Sequence, residues 1–331
     1  MPISPTLSRA RLTALLGLAP KHRIVVIGDA MLDVYLRGDV DRISPEAPVP
    51  VVRVRDKRHA LGGAANVAQN VAALGAQVEI VATVGKDHSA QLLRDMLMAI
   101  GGDTRGLVAV NRPTTTKTRV LARAQQLVRV DEEVDDDCTA GEIDLLNAAI
   151  TRALDDADAL ILEDYNKGVL VPAVIAHALG IAAKKKIPVV VDPKYRNFFS
   201  YKGATVFKPN RRELEAALGA AVDVEHPETL PGLVEKLGVE SILLTLSEHG
   251  MALIEKGATG AHRIPTTARE VYDVVGAGDT VTAYLAAMLA SGATPLEAAE
   301  IANYAAGVEV GKLGAATVTP SEVIEAFDAI G

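Results

Sequence analysis

The stretch Asp273-Val-Val-Gly276-Ala277-Gly278-Asp279-Thr280 leads directly into the mostly apolar residues 281–288. A glycine-rich turn that enters an apolar run is typical of a loop followed by a buried helix. Backbone N–H groups at a helix start converge on an anion, and the helix dipole favours negative charge there. Glycine lets that backbone approach a phosphate closely. We therefore expect Gly276, Ala277 and Gly278 to form an anion-binding turn.

Asp279 has two interpretations. An acidic residue in the first turn caps a helix, and that alone is a sufficient reason for its presence. Alternatively, its carboxylate faces an acceptor hydroxyl beside the N–H groups. Phosphoryl transfer needs an oriented hydroxyl, a proton acceptor and stabilisation of charge on the transferred group. A carboxylate beside an anion-binding turn meets the last two needs, so the segment is compatible with a phosphotransferase as well as with a plain capped helix.

Toward the N-terminus, short apolar runs alternate with helical stretches, which predicts an α/β fold with a parallel sheet covered on both faces. The predicted strands are 24–28, 78–83, 159–162, 187–191 and 241–244. The predicted helices are 64–74, 89–100, 140–154, 171–185 and 210–218. The last third changes character, with strands predicted at 251–255 and 261–264 and long helices at 278–290 and 295–310.

Two stretches interrupt this alternation. Residues 49–55 and 114–130 mix β-branched residues with Arg and Lys, a pattern typical of half-exposed strands. As insertions in an open α/β sheet, they predict a small β-sheet lid over the carboxyl edge, where ligands bind in such folds. The acidic run 131–137 is interpreted as a solvated loop, with a cation site as the alternative.

Composition and charge exclude several classes of protein. The 331 residues are 49% hydrophobic and carry a net charge of -8, so the basic face of a binder of nucleic acid or anionic membranes is not expected. The lone Cys138 excludes an internal disulfide and is typical of the reducing cytosol. Residues 12–19 predict a short amphipathic helix rather than an export signal, and no apolar run approaches the ~18 residues of a transmembrane helix.

Two further segments carry candidate binding residues. Gly62 and Gly63 precede a predicted helix and allow a ligand close to the backbone, while Asn66 in its first turn offers an amide to hydroxyl groups. Asp29 and Asp33 follow the first strand, and ionised carboxylates bind sugar hydroxyls strongly. The alternatives are a plain loop-to-helix junction for Asn66 and turn or cap roles for the two acids.

Taken together, three motifs resemble the ribokinase/PfkB carbohydrate kinases: Gly62-Gly63-x-x-Asn66, Asn210-x-x-Glu213 and Asp273-x-x-Gly276-Ala277-Gly278-Asp279. The resemblance covers essentially the whole chain. It implies one kinase domain over 1–331, a ribokinase-like three-layer α/β sandwich with a mostly parallel central sheet, and a lid formed by insertions near 34–58 and 111–131. It also implies a homodimer through the lids.

The resemblance assigns roles to residues at matching positions. Asp279 is similar to the catalytic base, and the amides of residues 276–279 to the anion hole. The implied sugar contacts are Asp29, Asp33, Gly62, Gly63 and Asn66. The implied nucleotide contacts are Asn210, Thr245, Ser247, Glu248, Gly250, Gly276, Gly278 and Asn303. ATP is the implied phosphate donor and Mg²⁺ the implied metal.

Two of the motifs supply the implied cation ligands. Asn210 and Glu213 would hold Mg²⁺ through water, although their spacing also matches a helix capping box. Asp273 is similar to a monovalent-cation ligand, which would be K⁺.

Five segments narrow the resemblance to the branch of the family that phosphorylates D-glycero-β-D-manno-heptose 7-phosphate at the C1 hydroxyl, a step toward lipopolysaccharide inner core. These segments are 43–52, 116–129, 164–168, 271–279 and 311–317. Such a substrate brings a second phosphate, for which the basic candidates are Arg119, Arg123, Lys167 and Lys194. Each is otherwise a solvated charge.

Asp164 lies in one of these five segments and is counted as a further substrate contact. A fused adenylyltransferase is common in this branch, but no His-x-Gly-His motif occurs here, so a stand-alone kinase is expected.

Three other functions compete with this interpretation. The nearest is a PfkB-type kinase for another sugar or sugar phosphate. A non-catalytic sugar- or nucleotide-binding regulator is disfavoured because a sensor has no need of Asp279. A dinucleotide-dependent oxidoreductase is disfavoured because Val281 stands where the third glycine of the fingerprint belongs, and residues 307–313 lack the spacing of a P-loop.

Overall fold

The computed structural model describes residues 7–123, 125–223 and 230–330. The strands in chain order are β1 (Arg23–Gly28), β2 (Ala30–Ile43), β3 (Pro50–Gly63), β4 (Gln77–Val84), β5 (Asp103–Ala109), β6 (Thr116–Ala122), β7 (Gln125–Glu132), β8 (Ala159–Glu163), β9 (Val189–Asp192), β10 (Val206–Phe207), β11 (Ser241–Thr245), β12 (Met251–Glu255) and β13 (His262–Ile264). The helices are α1 (Arg9–Leu18), α2 (Ala64–Ala73), α3 (His88–Ala99), α4 (Ala140–Ala153), α5 (Pro172–Lys185), α6 (Arg211–Leu218), α7 (Pro231–Leu237), α8 (Ala277–Ala290), α9 (Pro295–Glu309) and α10 (Pro320–Asp328).

Nine strands form the central sheet in the order β13-β12-β11-β10-β9-β8-β1-β4-β5. The strands from β11 to β5 in this order are parallel, and β12 and β13 add antiparallel pairs at one edge. Alternate residues of β1 enter two different cores: Ile24 and Val26 pack with one group of helices, Val25 and Ile27 with the other. This alternation follows from the period of two in a strand and produces the three-layer α/β sandwich that the sequence predicts.

A second sheet of four strands has the order β3-β2-β6-β7. The segments predicted to interrupt the alternation lie in it, but the sheet also contains β2, which starts two residues after β1 and pairs with β3 over almost its whole length. The sequence did not reveal β2 as a strand because Arg37, Gly38 and three Asp residues interrupt its alternation. Because β2 pairs in parallel with β6 and antiparallel with β3, the two insertions form one continuous sheet.

Several elements differ from the sequence-based expectation. The strands β5 and β10 and the helices α7 and α10 are additional; β10 has only two residues and gives no periodic signal. The run 131–137 is not a plain solvated loop, because Asp131 belongs to β7 and Glu133 forms ion pairs with two lysines. No helix among the described residues is long and apolar enough to cross a membrane.

The two sheets meet at Asp29 and Gly63. The backbone N–H of Asp29 donates to Glu163 on β8, and the Asp29 carbonyl accepts from Ala64 at the start of α2. Gly63 adopts φ +55° there, and a Cβ at this position would stand 2.4 Å from the Asp29 carbonyl oxygen. The crossing therefore requires glycine, and it brings β2, β3 and α2 to the carboxyl ends of β1, β8 and β9.

We expect Gly63→Ala to lower the free energy of unfolding by about 2 kcal/mol or more, because the left-handed backbone and the overlap with Asp29 act together. The matched control is Gly180→Ala on α5, where no described atom lies within 4 Å of the added Cβ. Alanine is the better helix former, so this control should gain about 0.5–1 kcal/mol. Urea denaturation of both variants measures the difference, and an unchanged stability for Gly63→Ala would contradict the assigned role.

Candidate active site

The first turn of α8 is built for an anion. Gly276 is the N-cap at φ +100°, and the Thr280 N–H makes the first helical bond to its carbonyl oxygen at 2.9 Å. The preceding N–H groups of the turn have no acceptor within the helix. Gly276 is packed against Ala315 and Glu309, since a Cβ there would lie 3.2 Å from each. The helix start predicted at residues 276–278 is thus present, and anion binding by this turn stays a prediction.

Asp279 lies in this turn with its carboxylate almost fully buried. Asn66 Nδ2 donates to Oδ2 at 2.6 Å, and the Tyr165 hydroxyl donates to Oδ1 at 3.1 Å. Burial raises the pKa of Asp279 to about 6, although the Asn66 hydrogen bond opposes this change and Asp192 adds to it. The carboxylate is therefore held by two neutral donors, and its pKa lies slightly below neutral pH.

Two more carboxylates lie beside Asp279. Ligand oxygens of Glu163, Asp192 and Asp279 all fall within 4.8 Å of one another. Lys208, also buried, donates to Asp192 at 2.8 Å. Neither oxygen of Glu163 has a hydrogen-bond partner among the described residues, and burial followed by the charge of Asp192 raises its pKa well above the usual value. The cluster is thus electrostatically short of positive charge, which favours a cation nearby.

Asp192, Lys208 and Asp279 line a cavity of about 540 Å³. Its lining comes from the ends of several parallel strands, the loop after β11, the start of α8 and one face of α9. The polar lining residues are Tyr165, Asp192, Lys194, Lys208, Asn210, Glu213, Thr245, Ser247, Glu248, Thr266 and Asp279. A Cβ at Gly278 would lie 3.6 Å from Lys208 Nζ, so a buried ammonium group stands directly beside the anion-binding turn.

One end of the cavity contains most of the expected nucleotide contacts. Asn210 and Glu213 do form a capping box on α6, with both reciprocal hydrogen bonds at 2.9 Å. Glu213 also pairs with Lys194, whose ammonium group lies 5.2 Å from the centre of the Tyr165 ring. Lys194, predicted for the sugar phosphate, therefore lies among the nucleotide candidates. The capping interpretation is correct for Asn210 and Glu213, and both still face the cavity.

The loop after β11 supplies the remaining polar residues of this end. Thr245, Ser247, Glu248 and Gly250 all line the cavity. Ser247 has φ +53° and Gly250 φ +82°, and a Cβ at Gly250 would stand 2.1 Å from the Ile264 carbonyl oxygen. The tight turn and the close contact with β13 hold this loop against the cavity.

Two predicted residues are near this end without facing it. Asn303 on α9 is buried and donates to the Pro265 carbonyl at 2.8 Å, so it holds the 265–267 segment in place. Asp273 accepts from the N–H groups of Val275 and Gly314, both at 3.1 Å, and ties together the loops before α8 and after α9. The lining of the cavity on α9 comes instead from Ala306, Gly307 and Val310.

The predicted sugar contacts gather on the other side of Asp279. Asp29 is buried and its carboxylate accepts from the N–H groups of Tyr165, Lys167 and Val169 at 2.8 to 3.2 Å. Burial raises the pKa of Asp29 to about 6 against these hydrogen bonds. Its carboxylate orders the 164–169 loop. That loop in turn presents Tyr165 to Asp279.

Asp33 and the two glycines lie next to this loop. Asp33 pairs with Arg119 at 2.7 Å, and the Arg119 guanidinium lies over the Tyr35 ring at 5.2 Å from its centre. A Cβ at Gly62 would stand 3.1 Å from Asp33 Oδ2, and Gly63 is the left-handed N-cap of α2. Asn66 belongs here too, but it donates to Asp279, while its Oδ1 lacks a partner among the described residues.

Three other basic or acidic candidates have different surroundings. Asp164 is buried and accepts from Asn166 N–H and Tyr201 Oη, both at 2.7 Å, so it supports the loop rather than facing the cavity. Arg123 lies exposed in the turn between β6 and β7 with φ +55°. Lys167 donates to Glu133 at 2.7 Å. Of the basic candidates, Arg119 and Lys167 are the ones beside Asp29 and Asp33.

Sequence reasoning missed Tyr165, Lys208 and Glu163. Tyr165 stands inside the 164–168 segment used for the resemblance, but nothing in its spacing shows that its hydroxyl reaches Asp279. Lys208 precedes Asn210 by two residues at the end of β10, which gives a signal only once that short strand is known. Glu163 is the last residue of the buried strand β8, and its position at a carboxyl edge was the available signal.

The family comparison decides the class of protein. A model of the pfkB family of carbohydrate kinases matches residues 21–322. The chain belongs to the pfkB carbohydrate kinase family. It is therefore an ATP-dependent carbohydrate kinase.

Curated relatives named bifunctional protein HldE are similar over most of this kinase. The protein from Pelobacter propionicus is 47% identical over 305 residues, which are 91% of this chain and 62% of that protein. The protein from Shewanella amazonensis is 47% identical over 308 residues, 93% of this chain and 64% of that protein. The chain thus spans less than two thirds of the length of these relatives.

Solved structures confirm the ribokinase-like fold. Ribokinase from Arabidopsis thaliana, complexed with ribose and ATP, has a TM-score of 0.72 at 21% identity and covers 92% of this chain and 98% of its own. Phosphofructokinase-2 from Escherichia coli, in complex with potassium, has a TM-score of 0.75 at 17% identity, covering 93% and 99%. At these identities the likeness concerns the fold.

We expect Asp279→Asn to stabilise this kinase, because the substitution removes a buried charge. The new amide keeps a side-chain oxygen that can accept the hydrogen bond from Asn66. The folded-state pKa of about 6 lies above the ordinary aspartate pKa of 3.8, so the carboxyl group costs no stability below both values. The cost grows as the pH rises between them and is complete above about 6. The gain should be about 1–3 kcal/mol at pH 8 and smaller at pH 5.

Chemical denaturation at the two pH values measures this gain. Asp144→Asn on the surface of α4 is the matched control and should change stability little at either pH. An equal gain at pH 5 and pH 8, or a loss at pH 8, would show that Asp279 does not have the raised pKa.

Proposed function

We propose that this kinase transfers the γ-phosphate of ATP to the C1 hydroxyl of D-glycero-β-D-manno-heptose 7-phosphate, giving heptose 1,7-bisphosphate for lipopolysaccharide inner core. The observation that carries the chemistry is the buried Asp279 carboxylate beside the N–H groups of α8 and the Lys208 ammonium in one cavity. Two things support the substrate: the five segments that resemble the heptose-phosphate branch, and the 47% identity to HldE proteins.

Asp279 is the proposed general base. Its pKa of about 6 leaves the carboxylate ionised at neutral pH and yet able to take a proton from a hydroxyl. Asn66 and Tyr165 hold both oxygens, which fixes the direction from which the acceptor hydroxyl approaches. The free Oδ1 of Asn66 is a ready acceptor for a sugar hydroxyl on the same side. In-line transfer then moves the phosphoryl group from the α8 turn toward the sugar.

Charge on the transferred group is stabilised by this chain from two directions. The N–H groups of Gly278 and Asp279 at the start of α8 are the proposed donors to the phosphate, while the Ala277 N–H donates to the Val274 carbonyl at 3.5 Å. Lys208 adds a buried positive charge next to Gly278; Asp192 raises the pKa of this lysine despite its burial and keeps it charged. Loose transition states of phosphoryl transfer depend mainly on such positioned charge.

Carboxylate oxygens in the cavity fit Mg²⁺, which takes few protein ligands and keeps several waters. Glu213, Asn210 and Asp192 line the cavity and would hold these waters, and the oxygens of Glu163, Asp192 and Asp279 lie close enough together that a divalent ion would fit among them. When bound, Mg²⁺ neutralises charge on the ATP phosphates. We also propose Asp273 as a ligand for K⁺, since it joins the two loops behind the α8 turn.

The smaller sheet is the proposed lid. It carries Asp33 and Arg119 next to the 164–168 loop, where it would cover the sugar and exclude water. Val54, Val128 and Val130 on this sheet are exposed, which favours pairing with a second copy. We therefore propose a homodimer through the lids. A cytoplasmic location is the proposal consistent with a lone, buried cysteine.

We expect Asp279→Asn to reduce kcat by at least about a hundredfold while the KM for sugar changes little, because the base is lost and the hydrogen-bond geometry is kept. Coupled detection of ADP measures turnover, and thermal unfolding confirms that the variant is folded. A variant with near-normal turnover would exclude Asp279 as the base.

An acceptor panel tests the substrate. We expect kcat/KM to be higher for heptose 7-phosphate than for ribose, a ketohexose phosphate or unphosphorylated heptose. Phosphorus NMR of the product should show a new anomeric phosphate. Turnover of ribose or a ketohexose phosphate without turnover of heptose 7-phosphate would assign the kinase to another sugar.

A further inference from the structure

Two lysines from different parts of the fold meet on one carboxylate. Lys117 of β6 donates to Glu133 at 2.9 Å, and Lys167 of the 164–168 loop donates to the same residue at 2.7 Å. The side chain of Lys117 is only 16% exposed, that of Lys167 17% and that of Glu133 25%. Such a shared, half-buried contact differs from the exposed pairs on the surface of this sheet, which contribute little to stability.

The charges at this point do not cancel. Lys117 also contacts Asp131 at 3.1 Å, but Asp131 is shared with Arg129. Three cations thus surround two carboxylates. Burial opposes ionisation of Glu133, yet the two lysines outweigh it and lower its pKa, so the residue is a permanent anion at neutral pH. Among these five side chains one unit of positive charge remains in excess, and a group with two negative charges in place of Glu133 would neutralise it. Arg112 and Asp29, which line the adjoining cavity, add one charge of each sign.

This cluster adjoins the proposed sugar site. The Lys167 N–H donates to the Asp29 carboxylate, and Lys117 is paired in register with Asp33. A small cavity of about 10 Å³ lies beside Lys167 and is lined by Asp29, Arg112, Thr115, Val134 and Lys167, whereas Lys117 and Glu133 are not part of its lining. The 164–168 loop therefore carries Tyr165, which reaches Asp279, and two residues later Lys167, which reaches Glu133. One loop connects the reacting end of the acceptor with the lysine pair.

We propose that Lys117 and Lys167 bind the phosphate of the sugar acceptor, and that Glu133 occupies their anion position until this phosphate displaces it. The inference rests on the proposed function and adds a binding pair and a competing anion to it. A phosphate monoester carries close to two charges at neutral pH and offers three acceptor oxygens. Its two negative charges match the two lysine ammonium groups. The single Glu133 carboxylate compensates only one of them.

The experiment compares Lys117→Gln, Lys167→Gln and Glu133→Gln with the wild-type enzyme, using heptose 7-phosphate, unphosphorylated heptose and ATP as varied substrates. Lys184→Gln, an exposed lysine on α5, is the matched control. We expect each of the first two variants to raise the KM for heptose 7-phosphate at least about tenfold, the loss of one charge-assisted hydrogen bond. The KM for ATP and the kinetics with unphosphorylated heptose should match those of the control.

Glu133→Gln separates the competing anion from a merely structural residue. Removal of the resident anion should lower the KM for heptose 7-phosphate and tighten binding of inorganic phosphate, measured by calorimetry, whereas loss of a structural ion pair would weaken both. Lys117→Arg and Lys167→Arg keep the charge and should recover most of the affinity. Thermal unfolding of every variant verifies that each is folded.

The outcomes distinguish this inference from the proposed function. If the two lysine variants behave like Lys184→Gln while wild type phosphorylates heptose 7-phosphate, the phosphate subsite is wrong and the kinase assignment stands. An increased KM for Glu133→Gln would overturn the competing role of Glu133. If wild type prefers unphosphorylated heptose, the proposed function and this inference both fail, and the acceptor panel shows it before any variant is made.

Discussion

The site depends on negative charge that the fold has taken out of water. Glu163, Asp192 and Asp279 are all buried within a few ångströms of one another, with Lys208 as their buried counter-ion. Burial of carboxylates is expensive unless they are paired. Lys208 donates to Asp192, and Asn66 and Tyr165 donate to Asp279, whereas burial and the charge of Asp192 raise the pKa of the unpartnered Glu163. The consequence of this arrangement is a carboxylate with a raised proton affinity and a cavity that attracts cations. These are the two properties that a phosphotransferase requires at this position.

The fold supplies this arrangement through helix packing rather than through loops. Asn66 and Asn70, one turn apart on α2, contact Asp279 and Thr280 at the start of α8. The two helices lie in the same core, so the distance between Asn66 and Asp279 is set by the apolar residues around them. Gly63 determines where α2 begins, because its left-handed backbone passes within contact distance of Asp29. A defect at Gly63 would therefore reach Asp279 through α2, although the two residues are not in contact.

Much of this was readable from the sequence, for identifiable reasons. Strands such as β1 and β8 are continuous apolar runs, and the glycines at 276 and 278 define the start of α8, so the sandwich and the anion-binding turn could be predicted. The residues that were missed, Tyr165, Lys208 and Glu163, share one property. Their roles depend on contacts with residues more than 15 positions away, or on a strand of only two residues. Asn210 and Glu213 show a further limit, since one spacing encodes a capping box and also places both residues at the cavity. The local sequence pattern does not distinguish helix capping from a place at the cavity, because both roles use the same Glu213 carboxylate and Asn210 amide.

The distribution of ion pairs shows how a chain with a net charge of -8 would accommodate ATP and the proposed sugar phosphate. Its relevant cations are not free: Lys208 pairs with Asp192, Lys194 with Glu213, Arg119 with Asp33, and Lys117 and Lys167 with Glu133. Each internal carboxylate keeps its lysine or arginine charged and oriented before a ligand arrives, which reduces the ordering that binding would otherwise require. The same carboxylates also compete with the ligand, so affinity depends on the difference between a phosphate and a carboxylate at each place. On the proposed exchange, a dianionic phosphate would displace the carboxylate where two cations converge and a neutral or singly charged compound would not, which would give the site a selectivity that a simple basic patch lacks.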